Sequence, residues 1–215
     1  MRLIFLNPNA SEEMTEGMVA VARGALPGAE VLGRTNTGGP AAIQGAEDGA
    51  AAVPGLLEML PDARAARADA LVIGCFDDTG LEEMRARAHC PVFGIGRAAF
   101  HLAATGGPGF AVLTTLPISV PVIEANLVEA GLAGQCLGVF ASGVPVLEVD
   151  AGAPGTLERL AGNIRALEGQ GASSIVLGCA GMSRHHRALA TVARVPLVDP
   201  VRAAALAALA LLGAV

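Results

Sequence analysis

Two segments of the chain are near-copies of each other, 104 residues apart, and each ends in Gly-Cys. The first reads A-L-V-I-G-C over residues 70–75, and the second reads S-I-V-L-G-C over residues 174–179. A short apolar run that breaks at glycine is typical of a buried parallel strand presenting its next side chain at its carboxyl end. Residues 91–99 likewise resemble residues 196–204. A chain of 215 residues that repeats itself at half its length is therefore predicted to fold as two related halves.

Apolar runs with strand character alternate with Ala-, Glu- and Arg-rich helical segments, which indicates an α/β architecture. The predicted strands, four in each half, cover residues 2–6, 29–33, 70–74, 91–94, 109–114, 134–139, 173–177 and 196–198. The predicted helices cover residues 11–25, 46–67, 80–88, 97–105, 118–131, 155–169, 182–193 and 200–213. Pro54 and Pro61 are expected to interrupt the second helix. We expect two similar lobes, each a roughly four-stranded, mainly parallel sheet flanked by helices, related by pseudo-twofold symmetry with the site between them.

The boundary between the lobes is predicted from a linker and from the repeat. The G-G-P-G stretch at residues 106–109 lies at the midpoint of the chain. The last helix repeats the helix at 97–105, so it should cross back over the lobe boundary. The first lobe would then comprise residues 1–96 plus 200–215 and carry Cys75, and the second would comprise residues 97–199 and carry Cys179. The loop at residues 35–45 is placed to cover the cleft.

Composition excludes several classes of function. A net charge of −6 and a pI of about 5.2 argue against nucleic-acid binding. No apolar run approaches the ~20 residues of a membrane span, and the first residues do not read as a signal peptide. Four cysteines without C-x-x-C spacing are expected to be reduced thiols in a cytoplasmic protein. The chain contains no lysine, which excludes a pyridoxal-phosphate Schiff base and a P-loop. With no metal-ligand spacing either, we expect neither a metal nor a cofactor.

The matched cysteines are the strongest candidates for chemistry. A single buried cysteine is usually a small hydrophobic residue, but Cys75 and Cys179 end duplicated strands, where open α/β sheets bind ligands. One thiol on each wall of a cleft suits the removal of a proton from one face of a carbon and its return on the other face. Helix N-termini at these turns are expected to lower the thiol pKa values. Cys90 and Cys136 lack this context.

Other motifs have plainer interpretations. The G-I-G-R-A-A stretch at residues 94–99 matches G-x-G-x-x-A, but the acid that a dinucleotide site requires is missing, which favours a tight strand–helix turn. His185 and His186 are adjacent, so they do not share a helix face, and a surface position is expected. Asp77 and Asp78 are equally consistent with the site or with a helix cap. A nucleophile elbow would need G-x-C-x-G, which the chain lacks at Cys179.

Taken together, the motifs resemble those of the aspartate/glutamate/hydantoin racemase superfamily, most closely its hydantoin and allantoin racemase branch. The resemblance spans nearly the whole chain in colinear order: N-P-N at 7–9 with M-T at 14–15, G-C-F-D-D at 74–78 with G-L at 80–81, the stretch 91–99, T-T at 114–115, and V-L-G-C-A-G-M at 176–182. It implies two similar α/β lobes, a cofactor-free two-cysteine mechanism and a homo-oligomer.

The resemblance also implies roles for individual residues. Cys75 and Cys179 would be the proton-transfer pair. The motif positions that would line the substrate site are Asn9, Ser11, Phe76, Asp77, Thr114, Thr115, Ala180 and Gly181.

The chain departs from the pattern of that branch in places that bear on the substrate. In the loop at residues 39–45, Ala42 and Gln44 stand where the branch has a hydroxyl and an acid. Arg97 replaces a glutamate, and Ala10 precedes Ser11 where the branch often reads N-P-N-T-S. The second motif reads G-C-A-G-M and not the G-C-T form common in amino-acid racemases, which disfavours free glutamate or aspartate.

The expected activity is cofactor-independent racemisation or epimerisation of a 5-substituted hydantoin, allantoin or a related cyclic ureide. One thiolate would remove the proton next to the carbonyl, an enolate would form, and the other thiol would reprotonate it. The first alternative keeps the fold and changes the reaction to that of an arylmalonate decarboxylase or a maleate isomerase. The second is a ureide-binding protein without turnover. The expected partner in every case is a small carbonyl compound.

Overall fold

The computed structural model describes residues 1–213, and residues 214 and 215 of the predicted first lobe lie outside that part of the chain. Its first sheet has four parallel strands in the order β2-β1-β3-β4. These strands are β1 (Arg2–Asn7), β2 (Glu30–Thr35), β3 (Ala70–Ile73) and β4 (Val92–Gly94). The central strand β3 is buried along its whole length, as its uninterrupted apolar sequence predicts.

The second sheet repeats this arrangement with the order β6-β5-β7-β8, again parallel. Its strands are β5 (Phe110–Thr114), β6 (Cys136–Ala141), β7 (Ile175–Gly178) and β8 (Leu197–Val198). In both sheets the second strand of the half lies at one edge and the fourth at the other. The duplicated segments form the equivalent strands β3 and β7, so the prediction of two four-stranded α/β lobes is confirmed.

Helices flank both sheets. In residues 1–213 they are α1 (Glu12–Ala25), α2 (Ala46–Glu58), α3 (Leu60–Ala65), α4 (Leu81–Arg87), α5 (Ile95–Thr105), α6 (Val120–Glu129), α7 (Val146–Ala151), α8 (Thr156–Gly169), α9 (His186–Ala190) and α10 (Pro200–Leu212). Short 3-10 helices cover Pro117–Ser119, Ala133–Gln135 and Ala180–His185. Within the described chain, no helix is long and apolar enough to cross a membrane.

The last helix, α10, which was expected to cross back over the lobe boundary, packs against α5, the helix that it repeats. Helix α5 contacts β4 of the first sheet and β7 of the second, and α10 contacts β3, β4 and β7. Both helices are rich in alanine on the packed side, which lets them approach the sheets closely. The division at 96/97 and 199/200 stays a prediction, since both helices bury side chains against both halves.

Several predicted boundaries were wrong for identifiable reasons. The helix predicted at 46–67 continues through Pro54. Pro54 leaves the carbonyl of Ala50 without its helical hydrogen bond, which is tolerated because Ala50 is exposed to solvent. The helix breaks later, at Met59, between α2 and α3. Pro61 lies in the first turn of α3, where a missing N–H is tolerated. The helix predicted at 182–193 is a 3-10 helix followed by the short α9. The strand predicted at 134–139 is observed as β6 at Cys136–Ala141, after a 3-10 turn, and α7 was not predicted.

Candidate active site

Both Gly-Cys turns open onto one cavity between the lobes. Cys75 follows β3 and Cys179 follows β7, so the two thiols come from the carboxyl ends of equivalent central strands. The cavity is lined by Asn9, Met14, Ile43, Gly74, Cys75, Phe76, Asp77, Thr114, Thr115, Ser119, Val146, Gly178, Cys179 and Ala180. This confirms that the duplication brings the two cysteines to a common space.

The cavity is closed around almost no free volume. It measures about 30 Å³, room for a few water molecules at most, since each needs roughly 10–15 Å³. Larger concavities exist elsewhere, including one of about 660 Å³ beside Met1 and Leu209 and one of about 510 Å³ between α5 and α10. Neither is lined by Cys75 or Cys179. We therefore identify the site by its two cysteines and not by its volume. A ring-sized ligand can enter only if the two lobes that form the walls of the cavity separate.

Loop residues of the first lobe complete the closure. Ile43 is buried and lines the cavity, and the Oε1 atom of Gln44 accepts the backbone N–H of Val146, at the start of α7, at 3.3 Å. Elsewhere across the cleft, Arg184 of the second lobe pairs with the Glu13 carboxylate of α1 at 3.2 Å. The expectation that the loop at 35–45 covers a cleft is thus met by direct contacts between the lobes.

Cys179 lies at the start of the 3-10 helix, where its carbonyl accepts the N–H of Met182 at 3.0 Å and the backbone N–H groups of Gly181 and Met182 lie near its sulfur. Burial raises the pKa of the Cys179 thiol to about 12, against the lowering effect of those two N–H groups. The carboxylates of Asp150 and Asp77 raise it further. The sequence had suggested a lowered pKa, and in this closed structure burial outweighs the helix terminus.

The Cys75 sulfur has a different set of neighbours. The Thr79 hydroxyl donates to it at 3.4 Å, and the nearby backbone N–H of Asp77 has a lowering effect on its pKa. Burial, and after it the charge of the Asp77 carboxylate, raise the pKa of the Cys75 thiol far above its ordinary value. Cys179 exerts a small raising effect too, which reflects the proximity of the two sulfurs. Both thiols are therefore protonated in the closed protein near neutral pH.

Asp77 lies in the site and Asp78 is a helix cap, whereas the sequence was equally consistent with either position for both residues. Asp77 lines the cavity, and its Oδ2 atom is buried without a hydrogen-bond partner among the described residues. Burial raises the pKa of the Asp77 carboxyl to about 7. A buried acceptor that the protein leaves unsatisfied is costly, so this oxygen is available to a donor from a ligand.

Asp78 is a helix cap, but for α5 and not for the helix that follows it. Its Oδ1 accepts the N–H of Gly96 at 2.9 Å and its Oδ2 accepts the N–H of Arg97 at 2.7 Å. A Cβ atom at Gly94 would overlap the Asp78 carboxylate. The G-x-G motif is therefore the tight strand–helix turn that the sequence favoured, and its glycines make room for this carboxylate and for the Phe76 carbonyl.

The polar residues after β1 form a fixed network beside the cavity. Asn9 Oδ1 accepts from Asn7 Nδ2 and from the N–H of Ser11, both at 2.9 Å. Ser11 does not line the cavity, because its hydroxyl caps α1 by accepting the N–H of Met14 at 3.1 Å. Of this pair of site predictions, the structure places Asn9 at the cavity and Ser11 at the helix start behind it.

The remaining predicted residues divide in a similar way. Thr114, Thr115, Phe76 and Ala180 line the cavity, whereas Gly181 lies outside the lining with its N–H near the Cys179 sulfur. Thr114 already donates its hydroxyl to the Gly178 carbonyl at 3.2 Å.

Sequence reasoning did not assign six lining residues to the site: Met14, Ile43, Gly74, Ser119, Val146 and Gly178. Met14, Gly74 and Gly178 belong to motifs already recognised, and Ile43 belongs to the covering loop. Ser119 and Val146 carried no sequence signal.

The histidine pair and the two remaining cysteines lie outside the cavity lining. His185 Nε2 lies 2.8 Å from the Val149 carbonyl oxygen, and His186 Nε2 lies 3.1 Å from that of Leu197. Cys90 and Cys136 are outside the cavity lining. Across residues 1–213, no cluster of His, Cys, Asp and Glu is suited to hold a metal ion.

Comparison with known proteins gives one consistent family. The family model for Asp/Glu/hydantoin racemases matches residues 3–208. A hydantoin racemase of Rhizobium meliloti is 40% identical over 219 residues, covering 100% of this chain and 90% of the relative. A hydantoin racemase of Paenarthrobacter aurescens is 32% identical over 207 residues, covering 95% and 88%. The solved structure of an allantoin racemase from Klebsiella pneumoniae superposes with a TM-score of 0.93 at 36% identity, covering 99% of this chain and 87% of that one.

Proposed function

Since the chain belongs to the Asp/Glu/hydantoin racemase family and is an isomerase of the racemase type, we propose that its substrate is a 5-substituted hydantoin, allantoin or a related cyclic ureide. We further propose that Cys75 and Cys179 carry the proton. The observation that carries the proposal is the pair of thiols from equivalent strand ends on one cavity.

The reaction needs a base on one face of a carbon and an acid on the other. In the proposed mechanism, one cysteine thiolate takes the proton next to the carbonyl, and the electron pair delocalises onto the carbonyl oxygen as an enolate. The opposite thiol then gives its proton to the other face of the same carbon. Contacts of about 3–3.5 Å between each sulfur and the carbon would hold the sulfurs roughly 7 Å apart, too far for a disulfide. No cofactor enters these steps.

The side chains of the cavity favour a neutral substrate with N–H groups. Among residues 1–213, no arginine lines the cavity, and Asp77 is the single charged side chain in its lining. A buried carboxylate repels a substrate carboxylate and accepts a hydrogen bond from an N–H. A cyclic ureide supplies N–H donors flanked by carbonyls and carries no carboxylate at its ring. Glutamate, aspartate and arylmalonates would place a negative charge in this space without a cationic partner.

Ionisation of the thiols must be coupled to binding, because both are protonated in the closed protein. The charge of the Asp77 carboxylate is the second cause of the raised pKa of the Cys75 thiol. A ligand N–H that donates to Asp77 would reduce the negative potential of this carboxylate at the Cys75 sulfur. The developing enolate needs hydrogen-bond donors. Thr115 and the backbone N–H groups of the Gly-Cys turns are the candidates, since the Thr114 hydroxyl is engaged with Gly178.

The test is loss of optical activity for separate enantiopure compounds: several 5-substituted hydantoins, allantoin, glutamate and aspartate. The protein is first dialysed exhaustively against EDTA, and a buffer-only sample records spontaneous racemisation. We expect at least one ureide to racemise well above background and neither amino acid to do so. Racemisation of glutamate or aspartate alone would overturn the proposed substrate. Release of carbon dioxide from an arylmalonate, or isomerisation of maleate, would favour the same-fold alternative. Binding of a ureide with no turnover would indicate a binding protein.

A further inference from the structure

The two cysteine sulfurs have different neighbours, although they occupy equivalent positions in the repeat. The Cys75 sulfur accepts the Thr79 hydroxyl at 3.4 Å. Among the described residues no side chain donates to the Cys179 sulfur, near which lie the backbone N–H groups of Gly181 and Met182. A side-chain hydroxyl therefore distinguishes the surroundings of Cys75 from those of Cys179.

The backbone takes a different path after each cysteine. After Cys179 the chain continues as a 3-10 helix, in which the N–H of Met182 bonds to the Cys179 carbonyl at 3.0 Å. After Cys75 the chain turns at Asp78, which has a left-handed φ of 51°. The carboxylate of Asp78 holds that turn through its bonds to Gly96 and Arg97. The turn brings the hydroxyl of the next residue, Thr79, beside the Cys75 sulfur.

The residue equivalent to Thr79 in the second half behaves differently. Ser183 also follows its cysteine by four positions, but its hydroxyl donates to Asp199 Oδ1 at 2.7 Å. Thr79 is 7% exposed, and its side chain packs beside Gly49 of α2, which leaves the sulfur as its hydrogen-bond acceptor. The same sequence position therefore serves a cysteine in one half and a helix cap in the other.

We propose that Thr79 is a positioning residue for Cys75, whose hydroxyl orients the sulfur and stabilises its thiolate against the neighbouring Asp77 carboxylate. The proposal rests on the proposed function for its catalytic meaning, since it assumes that Cys75 carries a proton. The hydrogen bond would strengthen as the sulfur becomes charged, because bonds to ionised groups are stronger than bonds between neutral ones.

The experiment measures thiolate formation at each cysteine without relying on turnover. Wild-type protein, Thr79→Val, Thr79→Ser and Ser183→Ala are alkylated with iodoacetamide between pH 7 and pH 10, and the rates at Cys75 and Cys179 are read by peptide mass mapping. Valine keeps the shape of threonine and removes the donor. We expect Thr79→Val to slow alkylation of Cys75 by about tenfold at each pH, equivalent to a shift of roughly one pH unit.

Rescue and control variants decide between positioning and general damage. Thr79→Ser should stay within about twofold of wild type at Cys75, and Ser183→Ala should leave Cys75 unchanged. Thr79→Ala serves as a second donor deletion should the valine variant not fold. An unchanged Cys75 rate in a folded donor deletion, or equal slowing at Cys75 and Cys179, would overturn the proposal. Where a substrate is racemised, kcat of the donor-deletion variants should fall, whereas KM should stay within about twofold of the wild-type value. An absence of any substrate would refute the proposed function and leave the alkylation result standing.

Discussion

The Gln44 side chain reaches across the cleft to Val146, whose backbone N–H it binds at 3.3 Å. This bond joins the covering loop of the first lobe to the first residue of α7 in the second. Val146 and Ile43, the neighbour of Gln44 in the chain, line the cavity of about 30 Å³, so we expect the contact to belong to the closed state and to be remade in each catalytic cycle.

Removal of this bond should weaken closure over the substrate. We expect Gln44→Ala to lower kcat/KM by roughly threefold to tenfold, corresponding to one hydrogen bond of about 1 kcal/mol. Gln44→Glu keeps an acceptor for the same N–H and should retain more activity than the alanine variant. Gln170→Ala, at an exposed position after α8, is the control. Equal kcat/KM for Gln44→Ala and wild type would show that the bond does not contribute.

Asp77 should make the stability of the free protein depend on pH. Its folded-state pKa of about 7 lies above the ordinary value of 3.8. Between about pH 4 and pH 7 the folded state binds more protons than the unfolded state, so stability from this group falls as pH rises through that window and is constant above it. Asp77→Asn removes the titration. Its advantage in melting temperature over wild type should grow from pH 4 to pH 7, because the difference between 3.8 and about 7 corresponds to roughly 4 kcal/mol, or on the order of ten degrees. A difference that is constant with pH would mean that Asp77 keeps an ordinary pKa when folded.

The thiols should differ in reactivity in the order of their burial. Burial raises the pKa of all four cysteines, and most strongly at Cys75 and Cys179. We therefore expect iodoacetamide at pH 7.5 to label Cys90 before the cavity pair in ligand-free protein, the reverse of the order that strand-end position alone suggests. Labelling of Cys75 and Cys179 should still rise about tenfold per pH unit at pH 9. A plateau below pH 8 at either residue would contradict this.

Gly94, in the turn between β4 and α5, should be required for the fit of the Asp78 carboxylate. An alanine there would overlap the Asp78 carboxylate and displace the cap of α5. We expect Gly94→Ala to lower the free energy of unfolding by about 2 kcal/mol or more. Gly24→Ala, in α1 with open space around it, should instead be neutral or stabilise by up to about 1 kcal/mol. Urea unfolding measures both. Similar free energies for the two variants would show that the Asp78 cap is dispensable.

The repeated strands could be predicted from sequence because their information is local. Apolar runs ending in Gly-Cys define β3 and β7, and parallel strands place both cysteines at the same edge of their sheets. The role of Asp78 as a cap of α5 could not be predicted, since its carboxylate binds N–H groups 18 and 19 residues away. The thiol pKa values were predicted in the wrong direction, because desolvation depends on how completely the lobes close and outweighs the local helix terminus.

Residues contributed by short or irregular segments were also beyond the sequence signal. Val146 belongs to the six-residue α7, too short for a helical period to stand out, and Ser119 lies in a 3-10 turn. Ser11 was assigned to the site by its motif, yet its hydroxyl is committed to the start of α1. A motif therefore identified the neighbourhood of the cavity, and hydrogen bonding decided which side chains face it.

The most direct test of the two-thiol mechanism is deuterium exchange at the stereocentre in Cys75→Ser and Cys179→Ser. Each pure enantiomer of a substrate with slow background exchange is incubated with each variant in deuterated water and followed by NMR. The thiol that acts as base for one enantiomer acts as acid for the other. Neither variant should racemise appreciably, and each should exchange the proton of one enantiomer through its remaining thiol, with opposite preferences in the two variants. Racemisation at the wild-type rate by either serine variant would contradict the mechanism.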